Sequence, residues 1–99
     1  MGYDLQITRA EKFFNSLENP IALEEWLDYV TRDPTLTLRG EDEALWSGDQ
    51  ACGKSEYPDA WLQWLNGYIY TKNPDLPLIR KMVLIARDLN ASRIAATAI

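Results

Sequence analysis

Tyr3, Leu5 and Ile7 alternate with Asp4, Gln6 and Thr8, and an alternation of period two predicts a half-buried strand at the start of the chain. Lys12 to Pro20 breaks the pattern and reads as a long connection that drops Phe13 and Phe14 into the core. From Ala22 to Thr31 the period lengthens. Leu23, Trp26, Leu27 and Val30 fall at i, i+3, i+4 and i+7, which lays one apolar stripe along a helix and leaves Glu24, Glu25 and Asp28 on its other side. Asn19-Pro20 offers that helix a cap and a first-turn proline, the early glutamates suit its dipole, and Asp33-Pro34 stops it.

Period two returns in Thr35 to Arg39, a second strand, followed by the charged turn Gly40-Glu41-Asp42-Glu43 and a shorter strand through Leu45, Trp46 and Ser47. Gly48 to Pro58 is polar and reads as a loop, the most mobile stretch of the chain. The sharpest tertiary signal is Asn66-Gly67, which supplies the two positive-φ positions of a type I′ turn and so pairs Trp61–Asn66 with Gly67–Lys72 as a hairpin. A two-residue loop sets Leu65 against Tyr68, Trp64 against Ile69 and Gln63 against Tyr70. Leu62, Trp64, Ile69 and Thr71 then share one face, and Trp61, Gln63, Leu65, Tyr68, Tyr70 and Lys72 the other. Asn73-Pro74-Asp75 ends the hairpin and caps a second helix, with Ile79, Met82, Ala86 and Leu89 inward, Arg80, Lys81 and Arg87 turned away, and Asn90 as its stop. Ser92 to Ile99 is apolar enough to add an edge strand or to trail as a loose tail.

These elements predict one α+β domain over residues 1–99, a small antiparallel sheet with a central β-hairpin packed against two helices. A length of 99 residues with 46% hydrophobic content suits one core and is too short for two. No run approaches eighteen apolar residues, and Met1 to Gln6 lacks the basic and apolar regions of a secretory signal. Cys52 is the single cysteine, which removes an internal disulfide and points to a reducing, cytoplasmic setting.

Charge is sorted along the chain. Residues 18–59 hold eleven acidic and three basic side chains, and residues 60–99 hold five basic and two acidic. The net charge of −5 argues against direct binding to nucleic acid or anionic membrane, and favours a basic protein as partner.

Chemistry is more conspicuous by what is missing. The chain has no histidine, which removes the commonest general base, the Ser-His and Cys-His pairs and most transition-metal sites, so the expectation is a non-enzyme with no cofactor and no metal. Gly48 to Ser55 fits the phosphate-loop pattern GxxxxGK[ST], in which Lys54 and backbone amides would cradle phosphates and Ser55 would hold magnesium. Tyr57-Pro58-Asp59 follows too closely for the helix that such a loop requires, and coincidence is the better reading. Glu41, Asp42 and Glu43 depart from calcium-loop spacing and read as a solvated turn. The partner-binding residues predicted from sequence are therefore Glu24, Glu25, Asp28, Glu41, Asp42 and Glu43 for charge, with Trp61, Tyr68 and Tyr70 as an aromatic hot spot if the helices cover the other side of the hairpin; the alternatives are that both sheet faces are buried or that the Gly48 to Pro58 loop covers Trp61.

Tyr3-Asp4-Leu5-Gln6-Ile7-Thr8-Arg9, Leu23-Glu24-Glu25-Trp26-Leu27, Asp33-Pro34 and Lys72-Asn73-Pro74-Asp75, followed by Ile79, Lys81-Met82 and Ile85-Ala86, resemble a group of small uncharacterised bacterial proteins. The resemblance implies an α+β domain and a role like that of immunity proteins, which neutralise toxins of rival bacteria. The main expectation is thus an inhibitor of a basic toxin or nucleic-acid-binding complex. Two rivals are a phage-encoded anti-CRISPR protein whose acids imitate a phosphate track, and a nucleotide binder using residues 48–55. A homodimer through exposed Trp61 and Tyr70 is a further arrangement the sequence allows.

Overall fold

The computed structural model describes residues 3–10, 17–91 and 93–98; Phe13 and Phe14, predicted as core anchors, lie outside the described residues. In chain order the elements are β1 (Tyr3–Thr8), α1 (Leu23–Arg32), β2 (Leu36–Arg39), β3 (Glu43–Trp46), β4 (Trp61–Leu65), β5 (Tyr68–Lys72), α2 (Leu76–Asp88) and β6 (Arg93–Ala98). The strands form one sheet in the order β2-β3-β4-β5-β1-β6, with every neighbouring pair antiparallel. This is the expected small α+β fold, and the β4–β5 hairpin occupies the middle of the sheet.

The hairpin forms for the reason its sequence gives. Asn66 and Gly67 have φ of 48° and 89°, and the register is Gln63↔Tyr70, Trp64↔Ile69 and Leu65↔Tyr68. Alternation then sends Leu62, Ile69 and Thr71 into the core, each under 2% exposed, where Leu5 and Ile7 of β1 and Ala44 and Trp46 of β3 join them. Both helices cover this face, α1 through Trp26 and Val30 and α2 through Leu78, Met82, Ile85 and Ala86. Each large apolar side chain buried there contributes about 1.5–3 kcal/mol. The hairpin tip is tied to the entrance of α1, since Ile21 N–H donates to Gly67 O at 2.9 Å and Trp64 Nε1 donates to Ile21 O at 2.7 Å.

Four local expectations need correction. Asn19-Pro20 does not cap α1, because the helix begins at Leu23 behind Ala22, which has no side-chain oxygen for the first-turn amides; Glu25 accepts the Ala22 N–H at 3.1 Å, and Asn19 instead donates to Arg9 O. The second strand starts at Leu36, not Thr35, since Asp33 Oδ1 accepts both the N–H and the hydroxyl of Thr35 and holds it in a turn. The third strand runs over Glu43–Trp46 and stops before Ser47. Lys81 does not turn to solvent: it is 4% exposed and faces two carboxylates. The second helix otherwise begins and ends as expected, with the Asp75 carboxylate accepting Leu78 N–H and Asn90 at φ 54°. Residues 93–98 form the outermost strand beside β1, which resolves the choice between edge strand and loose tail.

Candidate functional site: the sheet face away from the helices

The residues that alternate with the core line the opposite side of the sheet. β4 and β5 present Trp61, Gln63, Leu65, Tyr68, Tyr70 and Lys72 there; Leu65 is 39% exposed, and Trp61, Gln63, Tyr68 and Tyr70 are half-buried. Trp61 meets Tyr70 edge-on with ring centroids 5.5 Å apart, and Tyr68 lies 6.0 Å from Tyr70. The T-shaped pair is a favoured aromatic geometry, so the cluster is preorganised.

A polar chain fixes its rim. Tyr70 OH donates to Gln63 Oε1 at 3.1 Å, and Gln63 Nε2 donates to Asp42 Oδ1 at 3.3 Å. Glu43 pairs with Gln63 across β3–β4, which puts its side chain on the same face, and it accepts from Arg39 Nε at 2.7 Å. Asp4 and Gln6 of β1 belong to this side as well, opposite Lys72 and Tyr70. Asp4 Oδ1 and Gln6 Oε1 are buried without a hydrogen-bond donor, and Gln6 is 2% exposed. Burial, then Asp4, Asp42 and Glu43, push the Tyr70 phenol above its ordinary value; burial, Tyr70 and Asp4 do the same to Tyr68. Both rings are therefore neutral hydrogen-bonding groups at neutral pH.

The predicted partner-binding residues divide between two surfaces. Trp61, Tyr68, Tyr70, Asp42 and Glu43 come together on the face just described, with exposed Glu41 in the adjoining turn. Glu24, Glu25 and Asp28 lie on the outer side of α1, across the sheet from the rings. Nor are all these acids unengaged. Asp28 pairs with Arg32 at 3.1 Å, and Glu25 takes both Arg9 nitrogens, Nη1 at 2.9 Å and Nη2 at 2.6 Å. The Arg9 fork and the Ala22 amide hold the Glu25 carboxyl at about 2, well below its ordinary range.

Two structural devices escaped the sequence reading. Arg9 also donates through Nε and Nη2 to Leu89 O, at 3.0 and 2.6 Å, and through Nη1 to Pro20 O. It thus clamps the end of β1 to the start of α1 and the end of α2. Lys81 Nζ lies 2.5 Å from Asp33 Oδ2 and 3.3 Å from Asp49 Oδ2, joining α2 to the α1–β2 connection and to the 48–58 loop. Burial alone would lower the Lys81 pKa, yet the two carboxylates outweigh it and hold the ammonium protonated; Asp33 and Asp49 are correspondingly depressed despite burial. Such a lysine is no nucleophile. Burial and Asp49 raise the Cys52 thiol, which keeps it from the reactive thiolate form.

The segment Gly48 to Ser55 is folded against its phosphate-loop reading. Asp49 and Gly53 exchange two backbone hydrogen bonds at 2.9 Å, and Cys52 N–H donates to Asp49 Oδ1 at 2.7 Å, so these amides are already committed. Gly48 is required by this close turn: its φ is 95°, and an added Cβ would stand 3.0 Å from Gly53 O. Ser55 Oγ donates to Asp75 Oδ2 at 2.9 Å, and β4, not a helix, follows. The stretch expected to be most mobile is anchored through Asp49, buried Cys52 and Ser55. Its final residues flank Trp61, where Tyr57, Pro58 and Asp59 with Lys72 and Leu78 wall a depression of about 450 Å³.

Among the described residues no group of three or more His, Cys, Asp or Glu side chains is placed to hold a metal ion, and no helix is long and apolar enough to cross a membrane. No family model, curated protein or solved structure matches the chain.

Proposed function

We propose that the chain is a non-catalytic binding module that neutralises a basic protein in the manner of an immunity protein, and that the helix-free sheet face is its docking surface. The observation that carries this reading is the meeting of Trp61, Tyr68 and Tyr70 with Asp42, Glu43 and neighbouring Glu41 on one side of a rigid sheet. Aromatic anchors surrounded by charge are the usual composition of a binding hot spot, and acids at its margin steer a cationic surface into register. Lys72 on the same face gives the partner a place for an acid of its own.

The acids on α1 have a different part. Glu25 is engaged with Arg9 and Asp28 with Arg32, so both act locally, while exposed Glu24 adds long-range attraction from the far side. The test is affinity capture from a lysate of the native host, followed by binding of the purified captured protein. A basic protein held by the wild-type chain and lost on Trp61→Ala/Tyr70→Ala is the expected result. Capture that persists in that variant, or binding with no salt dependence, would count against the proposal. DNA or RNA competing for the captured protein would indicate that the acids replace a phosphate track on a nucleic-acid-binding partner.

A further inference from the structure

The depression of about 450 Å³ at the Trp61 end of the sheet is bounded by two segments, residues 57–61 leading into β4 and residues 71–73 at the end of β5, with buried Leu78 of α2 also lining it. Its size falls within the range of about 300–1,000 Å³ common to small-molecule sites. Hydrogen bonds fix both walls. Ala60 N–H closes onto Tyr57 O at 3.2 Å, Tyr57 N–H donates to Ser55 Oγ at 3.1 Å, and Ser55 in turn donates to the Asp75 carboxylate that caps α2. Across from it, Asn73 N–H donates to Tyr3 O at 2.9 Å, and Asn73 Oδ1 accepts Tyr3 N–H at 2.8 Å. Walls held in this way need little further ordering when a ligand enters.

The charges bordering the depression are of both signs and are unspent. Asp59 and Lys72 are exposed, and among the described residues neither forms an ion pair or a side-chain hydrogen bond, with the other or with a third group. Two charges outside the depression leave them so: Asp4 lies opposite Lys72 across β1–β5 without pairing to it, and Arg39 is engaged with Glu43 at 2.7 Å and feels Asp59 only at longer range. Asn73 commits its Oδ1 to Tyr3, while its Nδ2 donors have no acceptor among the described residues. Tyr57, Pro58 and Trp61 supply apolar and aromatic surface between these groups. An anion alone would meet Asp59, a cation alone would meet Lys72, and an uncharged molecule would use neither; a ligand with both signs beside an apolar body uses every group. We infer that the depression binds a free α-amino acid with an aromatic side chain, its carboxylate at Lys72 and Asn73 Nδ2, its ammonium at Asp59 and its ring against Tyr57 and Trp61. This site goes beyond the docking reading, whose surface it adjoins through Trp61 and Lys72.

The test is an NMR titration of the isotope-labelled full chain with L-phenylalanine. Saturable shifts are expected at the Trp61 indole and in residues 57–60 and 71–73, and none at Lys81 on the other side of α2's first turns. Phenylalanine amide, which lacks the carboxylate, and N-acetylphenylalanine, which lacks the ammonium, should each bind at least about tenfold more weakly, and so should phenylalanine itself to Lys72→Met and to Asp59→Asn, the loss expected of one charge-assisted hydrogen bond. Both substituted positions are exposed, and the spectrum of each variant reports its fold directly. No saturable shift with phenylalanine, a derivative that binds as tightly as the parent, or undiminished affinity in either variant would overturn the proposal. The chain is titrated without a protein partner, so failure here is distinct from failure of partner capture.

Discussion

The two faces of the central hairpin are made from alternate residues of the same ten strand positions, yet they have different fates. Leu62, Ile69 and Thr71 lie under α1 and α2 with under 2% of their surface left, while Trp61, Gln63, Tyr68 and Tyr70, which no helix covers among the described residues, keep part of their surface exposed. The comparison separates two uses of large side chains. On the covered face they exclude water and set stability; on the other they are held by one another and by Gln63, and stay available for contact.

The largest effect that would break this contrast is in the core. Trp26 is fully buried and its Nε1 donates to Asp42 O at 2.9 Å, so Trp26→Ala should cost about 3–5 kcal/mol in urea denaturation. Tyr70→Ala on the other face should cost only about 1 kcal/mol, chiefly the edge-on contact with Trp61. Comparable losses at the two sites would erase the distinction.

Lys81→Met ranks next, because it leaves Asp33 and Asp49 partly buried without their cation. A loss of about 3–5 kcal/mol is expected at neutral pH. In the wild type the depressed Asp33 and Asp49 contribute stability above their unfolded value of 3.8 that fades as pH falls through their lower folded values, while the raised Lys81 contributes below 10.5 and fades above its higher folded value. In the variant, acid should narrow the gap to wild type, since protonating the two carboxylates removes their repulsion. A gap that stays constant from pH 7 down to about 3 would show that the ion cluster is not the cause.

The smallest expected effect is at Arg9. Glu25 is 42% exposed on its side chain, so solvent screening holds the Arg9 pair to about 1 kcal/mol. Its depressed pKa makes that contribution present above about 4.5 and lost as pH falls through about 2. An NMR titration should place the Glu25 carboxyl near 2 in the wild type and closer to 4.5 in Arg9→Gln. An unshifted midpoint in the variant would assign the depression to the Ala22 amide alone.

Much of this architecture was legible because the relevant signals are local. The stripe Leu23-Trp26-Leu27-Val30, the Asn66-Gly67 turn and the Asp75 cap each sit inside one element, and each element formed close to where expected. What was illegible depends on distant partners. Lys81 looks like a solvated residue on a helical wheel, and only folding brings Asp33 and Asp49, 48 and 32 residues earlier, to its Nζ. Arg9 meets Leu89 across 80 residues. The acids show the same dependence: Trp26 Nε1 brings α1 to Asp42 O at 2.9 Å, while the Asp42 carboxylate is turned to Gln63 and Glu24, Glu25 and Asp28 are exposed on α1, a division that spacing in the sequence does not reveal. The aromatic face was legible from alternation alone, once the hairpin register was set.

The most direct measurement compares the two surfaces against the captured basic partner by calorimetry at two salt concentrations. Trp61→Ala/Tyr70→Ala, on the helix-free face, should weaken binding by more than about tenfold, and Glu24→Lys/Asp28→Lys, on α1, should change it by less than about threefold and mainly at low salt. A strong loss from the α1 pair with the aromatic pair unaffected would move the docking surface to the other side of the molecule and contradict the account.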